Sequence, residues 1–245
     1  MALPVNPAYA IANPKKKLVI AADIWCPINC NPTSSQLGIG IDLVKYAFKG
    51  YDVEYRIMPW SQALEEVRRG TVDAVVGANS SDEPKLIFPE NPLAAITDDF
   101  YTLSSNKWTF KDVSSLEGKR LGVIADYGYG PEITAYIKKY KGSARAVQSV
   151  SGDEALPHNI KKLFAKDIDI LVESKIVMDY TIKNMGLQES IRRAGGVKQG
   201  YVYVGFSPVI ADSHKRAQQY DEAVEKLKSS NRLLALYSEY GITNE

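Results

Sequence analysis

Leu18 to Ala22 is a short apolar run with a β-branched centre, preceded by Lys15-Lys16-Lys17 and followed by Asp23. A run that is apolar at every position predicts a parallel strand buried on both faces. Ile41, Val44, Ala47 and Phe48 recur at helical spacing after Gly40, and Gly50 is the predicted stop of that helix. Val53 to Ile57 alternates as a second strand. Ser61 is placed to cap a helix that carries Ala63, Leu64 and Val67 inward and Glu65, Glu66, Arg68 and Arg69 outward, closed by Gly70. Thr71 to Val76 reads as a third strand.

A second series of the same kind begins near Leu116. Leu121 to Ala125 is its first strand, and Gly130-Pro131-Glu132 opens a helix with proline at the first position, where the missing N–H costs nothing. Ser151 and Glu154 resemble a capping box for a helix reaching Ala165, although Pro157 lies near its first turn. Ile168 to Val172 is a strand, Ile176 to Met185 a helix stopped by Gly186, and Tyr201 to Phe206 alternates again. Amphipathic helices fill Ser213 to Ser229 and Arg232 to Tyr240.

The two series echo each other in letters as well as in pattern. Lys17-Leu-Val-Ile-Ala-Ala-Asp23 returns as Arg120-Leu-Gly-Val-Ile-Ala-Asp126, and Ala63 to Gly77 is echoed by Ala155 to Glu173. Chance resemblance between α/β units is one reading of so loose a repeat. The other is two α/β lobes of similar plan that close on something between them. The chain leaves the first lobe around Phe100 to Ser105, and Tyr201 to Ser207 is the natural way back. Two crossing strands would form a hinge, with the C-terminal helices on the first lobe. The expected division is residues 15–102 with 205–245 as one lobe and 103–204 as the other; two domains joined by one linker are the alternative.

Composition narrows the function. Thirty Lys and Arg against 29 Asp and Glu leave a formal charge of +1 over 245 residues, without the basic excess that nucleic-acid binding calls for. No apolar run approaches the ~18 residues of a membrane span. Residues 1–14 hold three prolines and end near Ala8-Tyr9-Ala10, which resembles a signal-peptidase site without the basic and apolar regions before it. A clipped leader, a tag remnant or a disordered N-terminus all fit. The cysteines stand together in Trp25-Cys26-Pro27-Ile28-Asn29-Cys30. Their spacing is not the C-x-x-C of redox enzymes, and His158 and His214 are too distant in sequence to suggest zinc. A local Cys26–Cys30 disulfide shaping a loop is the preferred reading, and it implies an oxidising compartment.

In open α/β sheets ligands bind outside the carboxyl ends of the strands, where strand order reverses. That rule selects the loops holding Asp23 and Trp25, then Gly77-Ala78-Asn79-Ser80, then Asp126-Tyr127-Gly128-Tyr129-Gly130, and finally Glu173-Ser174. Trp60 alone would be ordinary core, but with Trp25, Tyr127 and Tyr129 it makes a pocket wall able to cover an apolar body or attract a cation. Gly128 to Pro131 leaves N–H groups at a helix start that either hold an anion or serve turn geometry. Glu173 ends a buried strand, where a carboxylate needs a partner such as a ligand ammonium. Asp23 and Asp126 either face the ligand or cap backbone. Lys85 is the one cation near the third strand's loop, with surface solvation as its other explanation. No nucleophile–base pair, metal centre, P-loop or cofactor motif stands out.

At these loops the chain resembles the bacterial extracellular solute-binding proteins of the polar amino-acid type, family 3, the receptors that feed ABC importers. Besides the opening strand and the Trp25-Cys26-Pro27 loop, the resemblance rests on Gly40-Ile-Asp42-Leu43, Met58-Pro59-Trp60, Gly70-Thr-Val-Asp73-Ala74, Phe88-Pro89, Leu116-Glu-Gly118-Lys119-Arg120-Leu-Gly122-Val123 and Ile168-Asp169. It implies a type II periplasmic-binding-protein clamshell of α/β class with two hinge strands, closing on its ligand by domain motion. It also implies a secreted, monomeric, non-enzymatic protein with a membrane permease as partner and a small amino-acid-like solute as ligand. In members that bind α-amino acids an arginine after the third strand grips the carboxylate, and an acid ending a later strand takes the ammonium. Glu173 matches that acid. The segment Asn79-Ser-Ser-Asp82-Glu83-Pro84-Lys85 holds no arginine, only Lys85, and Tyr129 replaces the usual small hydroxyl residue. The resemblance extends to cyclohexadienyl dehydratases and to the sensor domains of membrane receptors, which are the alternative functions.

Overall fold

The computed structural model describes residues 15–152 and 154–242. The N-terminal leader or tag expected over residues 1–14 lies outside the described residues. In chain order the elements are β1 (Lys17–Ala22), α1 (Ile39–Ala47), β2 (Asp52–Ile57), α2 (Trp60–Arg69), β3 (Ala74–Ala78), β4 (Ala94–Leu103), β5 (Leu121–Ile124), α3 (Pro131–Lys139), β6 (Val147–Val150), α4 (Ala155–Phe164), β7 (Ile170–Glu173), α5 (Lys175–Met185), β8 (Ile191–Phe206), α6 (Ser213–Ser229) and α7 (Arg232–Glu239).

The strands form one sheet in the order β2-β1-β3-β8-β4-β7-β5-β6. At one end β1 lies parallel between β2 and β3; at the other, β5 lies parallel between β6 and β7. Both triplets therefore reverse strand order about their first strand. Between them runs the long antiparallel ribbon of β4 and β8, paired from Ala94 opposite Val202 to Leu103 opposite Ile191. β3 joins the C-terminal end of β8, and β7 joins the C-terminal end of β4. The ribbon thus belongs to both halves, which are two α/β lobes linked by two crossing strands.

The helices cover the sheet with the faces their periodicity predicts. Ile39, Ile41, Leu43 and Val44 of α1 meet Tyr220 and Val224 of α6 in one core that also holds Leu18, Ile20 and Phe206. The C-terminal helices accordingly lie on the first half of the sheet, where the Gln219 amide donates to the Ala47 carbonyl at 2.9 Å. Phe100, Leu121, Val123, Ile133, Tyr136 and Ile170 form the core of the other half.

Several boundaries differ from the sequence reading, each for a physical reason. α2 opens at Trp60 with Pro59 as its N-cap, so Ser61 lies inside the helix and caps nothing. α4 opens after Glu154 without a side-chain cap, and Pro157 falls in the first turn, where an N–H has no helical acceptor to lose. α1 starts before Gly40 rather than after it. The edge strand β6 went unpredicted, and β4 and β8 are longer than expected. Between Arg192 and Gly200 only Ala194 and Val197 are apolar, the rest being basic, glutamine or glycine, and the pattern does not alternate cleanly. Pairing with β4 holds that stretch extended in spite of its weak strand propensity.

The internal repeat is present in three dimensions, with its register shifted. Ile20 pairs with Ala74 and Leu121 with Ile170, so Ile20 corresponds to Leu121. One device sets both registers. Asp73 donates its N–H to the Val19 carbonyl at 2.8 Å and accepts the Val19 N–H on Oδ2 at 2.6 Å; Asp169 does the same with Arg120 at 2.9 and 2.9 Å. Lining up Lys17 with Arg120 by letters is therefore two residues out. The positional counterpart of Asp23 is Ile124, and Asp126 lies beyond it, exposed and in the left-handed region at φ 62°.

Candidate functional site

The carboxyl ends of β1, β3, β5 and β7 converge where the two halves of the sheet face each other across the ribbon. A narrow cavity there is lined by Asp23, Trp25, Trp60, Asn79, Tyr127, Tyr129 and Glu173 from the expected set. Asp82, Ile96, Thr97, Asp98, Gly128, Ser174 and Gln199 line it too. Ser80 and Gly130 line the wider cleft beside it. Ala78 is wholly buried in β3, and Lys85 and Asp126 do not line the cavity.

The disulfide loop places the first wall. Cys26 and Cys30 are bonded, and the loop folds back so that the Trp25 N–H donates to the Asn29 carbonyl at 2.8 Å. Ile28 anchors the loop in the core, and the Tyr55 hydroxyl donates to the Cys30 carbonyl at 3.1 Å. With its backbone held, Trp25 turns its indole across the cleft and donates Nε1–H to Glu173 Oε1 at 2.9 Å. Its ring meets Tyr127 edge-on at 6.3 Å. The Tyr127 hydroxyl donates to Asp23 Oδ2 at 2.5 Å, a second bond between the halves. The Tyr129 hydroxyl accepts the Ile124 N–H at 2.9 Å, which fixes the ring as wall.

Glu173 is 3 % exposed. Its Oε1 also accepts the Ser174 N–H at 2.7 Å, whereas Oε2 is buried without a hydrogen-bond partner. Burial pushes this carboxyl up to about 7, against the pull of the Trp25 and Ser174 donors and with a further push from Asp23 and Asp98. Asp98 is raised to about 6 by burial although it accepts the Gly130 N–H on Oδ2 at 2.6 Å. Asp82 is likewise raised to about 6 by burial; its Oδ2 accepts the Asn79 N–H at 2.9 Å, and its other oxygen lies against the backbone of Gly128. A β-carbon at Gly128 would collide with that oxygen, so glycine here serves close approach. The Gln199 amide donates to the Gly128 carbonyl from β8.

Among the described residues four carboxylates and no Lys, Arg or His line the cavity. Such a site attracts a cation. Among the described residues no group of three or more His, Cys, Asp or Glu is arranged to hold a metal ion.

Asp82 and Asp98 escaped the sequence reading. Asp82 lies in the exposed-looking polar segment Asn79 to Lys85, where nothing local marks its carboxylate as facing a cavity. Asp98 lies in Thr97-Asp98-Asp99, an acidic pair inside an otherwise apolar strand, a signal that was there to be read. Alternation sends Asp98 to the cavity and Asp99 to the opposite face, where it pairs with Arg193 through Oδ1 at 3.0 Å. Gln199 gave no signal, because its position depends on the long pairing of β8.

No family model matches the chain, and no curated protein does. Solved structures do match over nearly its whole length. One comes from work on glutathione import through GshT and the cystine ABC importer TcyBC of Streptococcus mutans, with 19 % identity, a TM-score of 0.75 and coverage of 92 % of this chain and 95 % of that one. Another is the arginine-, lysine-, histidine-binding protein ArtJ from Geobacillus stearothermophilus, at 17 % identity, TM-score 0.73, and 92 % and 95 % coverage. The fold is that of a two-lobed periplasmic binding protein. A histidine kinase sensor domain with similarity to periplasmic binding proteins shares it as well, at 14 % identity, TM-score 0.75, and 92 % and 96 % coverage. In this binding-protein fold the acid-lined cavity occupies the cleft between the lobes.

Proposed function

We infer that the protein captures a small polar solute bearing an amine between its two lobes and delivers it to the permease of an ABC importer. The observation that carries this reading is Glu173, buried at the end of β7 with Oε2 lacking a donor in a cavity that no Lys, Arg or His among the described residues lines. A buried carboxylate oxygen without a partner is costly, and a protonated amine supplies both the charge and the hydrogen. Trp25, Trp60, Tyr127 and Tyr129 close around the ligand's carbon skeleton. The two lobes divide within the ribbon of β4 and β8, the hinge, which gives residues to both cores: Phe100 of β4 packs in the second and Val202 and Val204 of β8 in the first. Importer-linked binding proteins among the structural neighbours support the delivery role. The Cys26–Cys30 disulfide supports an exported location, and among the described residues no helix is long and apolar enough to cross a membrane.

A dehydratase acting on prephenate-like acids is disfavoured, since its substrate would bring carboxylates into a cavity already lined by four. The sensor-domain neighbour keeps one second reading in view, in which the same amine is sensed rather than transported. Titration calorimetry of the purified protein with amines, amino acids and dicarboxylates tests the proposal. Amine-bearing solutes are expected to bind, and Glu173→Gln to weaken them about 10- to 100-fold, the range for losing a charge-assisted hydrogen bond. Binding of a dicarboxylate in preference to every amine would sink the reading. Loss of uptake of the identified solute in cells lacking the protein separates transport from sensing.

A further inference from the structure

A zwitterionic amino acid needs two opposed subsites, one for its ammonium and one for its carboxylate. The ammonium subsite is present at Glu173. The carboxylate subsite would be made from backbone donors at the start of α3 and after β3, with a cation beside them. In this protein those donors are already engaged by the protein's own acids. The Gly130 N–H, at the N-terminus of α3, donates to Asp98 Oδ2 at 2.6 Å. The Asn79 N–H, just past the end of β3, donates to Asp82 Oδ2 at 2.9 Å. Asp82 also presses its other oxygen on Gly128, so closely that only glycine fits there. Among the described residues no Lys, Arg or His lines the cavity to hold a carboxylate in place.

We propose that Asp82 and Asp98 take the place of a ligand carboxylate, so that the protein selects an organic cation with a primary ammonium and no carboxylate and rejects the corresponding amino acid. This rests on the amine-binding reading above and narrows it. Two independent features point to a ligand of this class. One is Glu173, which lines the cavity and whose buried Oε2 has no donor. It calls for an N–H hydrogen, which a quaternary ammonium lacks. The other is the occupied backbone donors. A carboxylate brought into the cavity would face Asp82 and Asp98 with the Gly130 and Asn79 N–H groups already taken and no lining cation beside it, which combines like-charge repulsion with desolvation. Discrimination here comes from a repulsive element built into the site as well as from attraction to the amine.

The test compares solutes that differ only by the carboxylate: lysine against 1,5-diaminopentane, ornithine against 1,4-diaminobutane, and arginine against 4-guanidinobutylamine. Each is titrated calorimetrically into the whole protein at pH 7.5. In at least one pair the decarboxylated amine is expected to bind tenfold or more tightly than its parent amino acid. An Asp98→Asn variant, in which the Gly130 donor keeps an acceptor of the same shape, is expected to narrow that ratio at least threefold. A ratio within one protein is insensitive to a general loss of stability. If in every pair the amino acid binds as tightly as its amine or more so, this inference is overturned while the amine-binding reading stands. If no member of any pair binds at millimolar concentration, both are overturned.

Discussion

Glu173 ties the proposed amine binding to the stability of the fold. Its carboxyl is raised from 4.5 to about 7 by burial, with Asp23 and Asp98 adding to the push and the Trp25 and Ser174 donors opposing it. A group raised in the folded state contributes stability that is full below its unfolded value and is lost as pH rises through the folded one. For Glu173 that window runs from about 4.5 to about 7, and the loss is on the order of a few kcal/mol at roughly 1.4 kcal/mol per pH unit. Asp82 and Asp98, raised to about 6, act in the same direction. The unliganded protein is therefore expected to melt at a lower temperature at pH 8 than at pH 5.5. Glu173→Gln, which can still accept from Trp25, should flatten much of that dependence and raise the melting temperature at pH 8 while weakening amine binding. Thermal melts across pH check this, and a variant with the wild-type slope would show that Glu173 is not the group responsible. Binding a cation favours ionised acids, so amine binding at pH 6.5 should release protons. Calorimetric heats in buffers of different ionisation enthalpy read that release. At the same scale, Trp60→Ala should weaken binding more than Lys85→Ala, because Trp60 lines the cavity and Lys85 does not.

At the scale of elements, two devices hold the strands that carry the site. Asp73 and Asp169 each clamp the strand that follows them to the first strand of their half, and Asp73 also pairs with Arg216 of α6 at 2.5 Å, with both side chains largely buried. Asp73→Ala would leave Arg216 unpaired and free the Val19 N–H, and is expected to cost about 3 kcal/mol, as removal of one partner from a buried pair does. Urea denaturation measures it; a loss under about 1 kcal/mol would mean that the clamp is not needed for stability. The central ribbon depends on glycine at one point. A β-carbon on Gly196 would collide with the carboxylate of Asp99, the buried partner of Arg193. Gly196→Ala should destabilise by about 2 kcal/mol, the scale of overpacking in a core. These devices also mark where the sequence is legible. The runs Leu18 to Ala22 and Ile170 to Val172 declare themselves as buried strands by composition. The clamps do not, because nothing local tells an aspartate that bonds across a sheet from one in a surface turn.

At the scale of the whole molecule, the lobes touch through Trp25 to Glu173 and Tyr127 to Asp23. Each bond links a residue on the first half of the sheet to one on the second, so each favours the closed cleft. Tyr127→Phe is expected to shift the unliganded protein toward an open form, read as a larger radius of gyration in X-ray scattering, and to lower ligand affinity several-fold because closure then draws more on ligand contacts. An unchanged radius with unchanged affinity would show that this bond does not bias closure.

Sequence by itself determined the α/β class, the two-lobed plan, the disulfide loop and the cavity positions of Glu173, Trp25 and Tyr127. Each is written in local pattern: apolar runs, paired cysteines, or an acid or aromatic at a strand's end. Tertiary structure alone decided which acids share the cavity. Asp23 and Asp126 end similar segments, yet the pairing register leaves one in the cavity and the other exposed. Asp98 and Asp99 are neighbours, yet the pleat sends one to the cavity and the other to Arg193. Register and facing come from hydrogen bonds between segments far apart in the chain, and a one-residue slip reverses them.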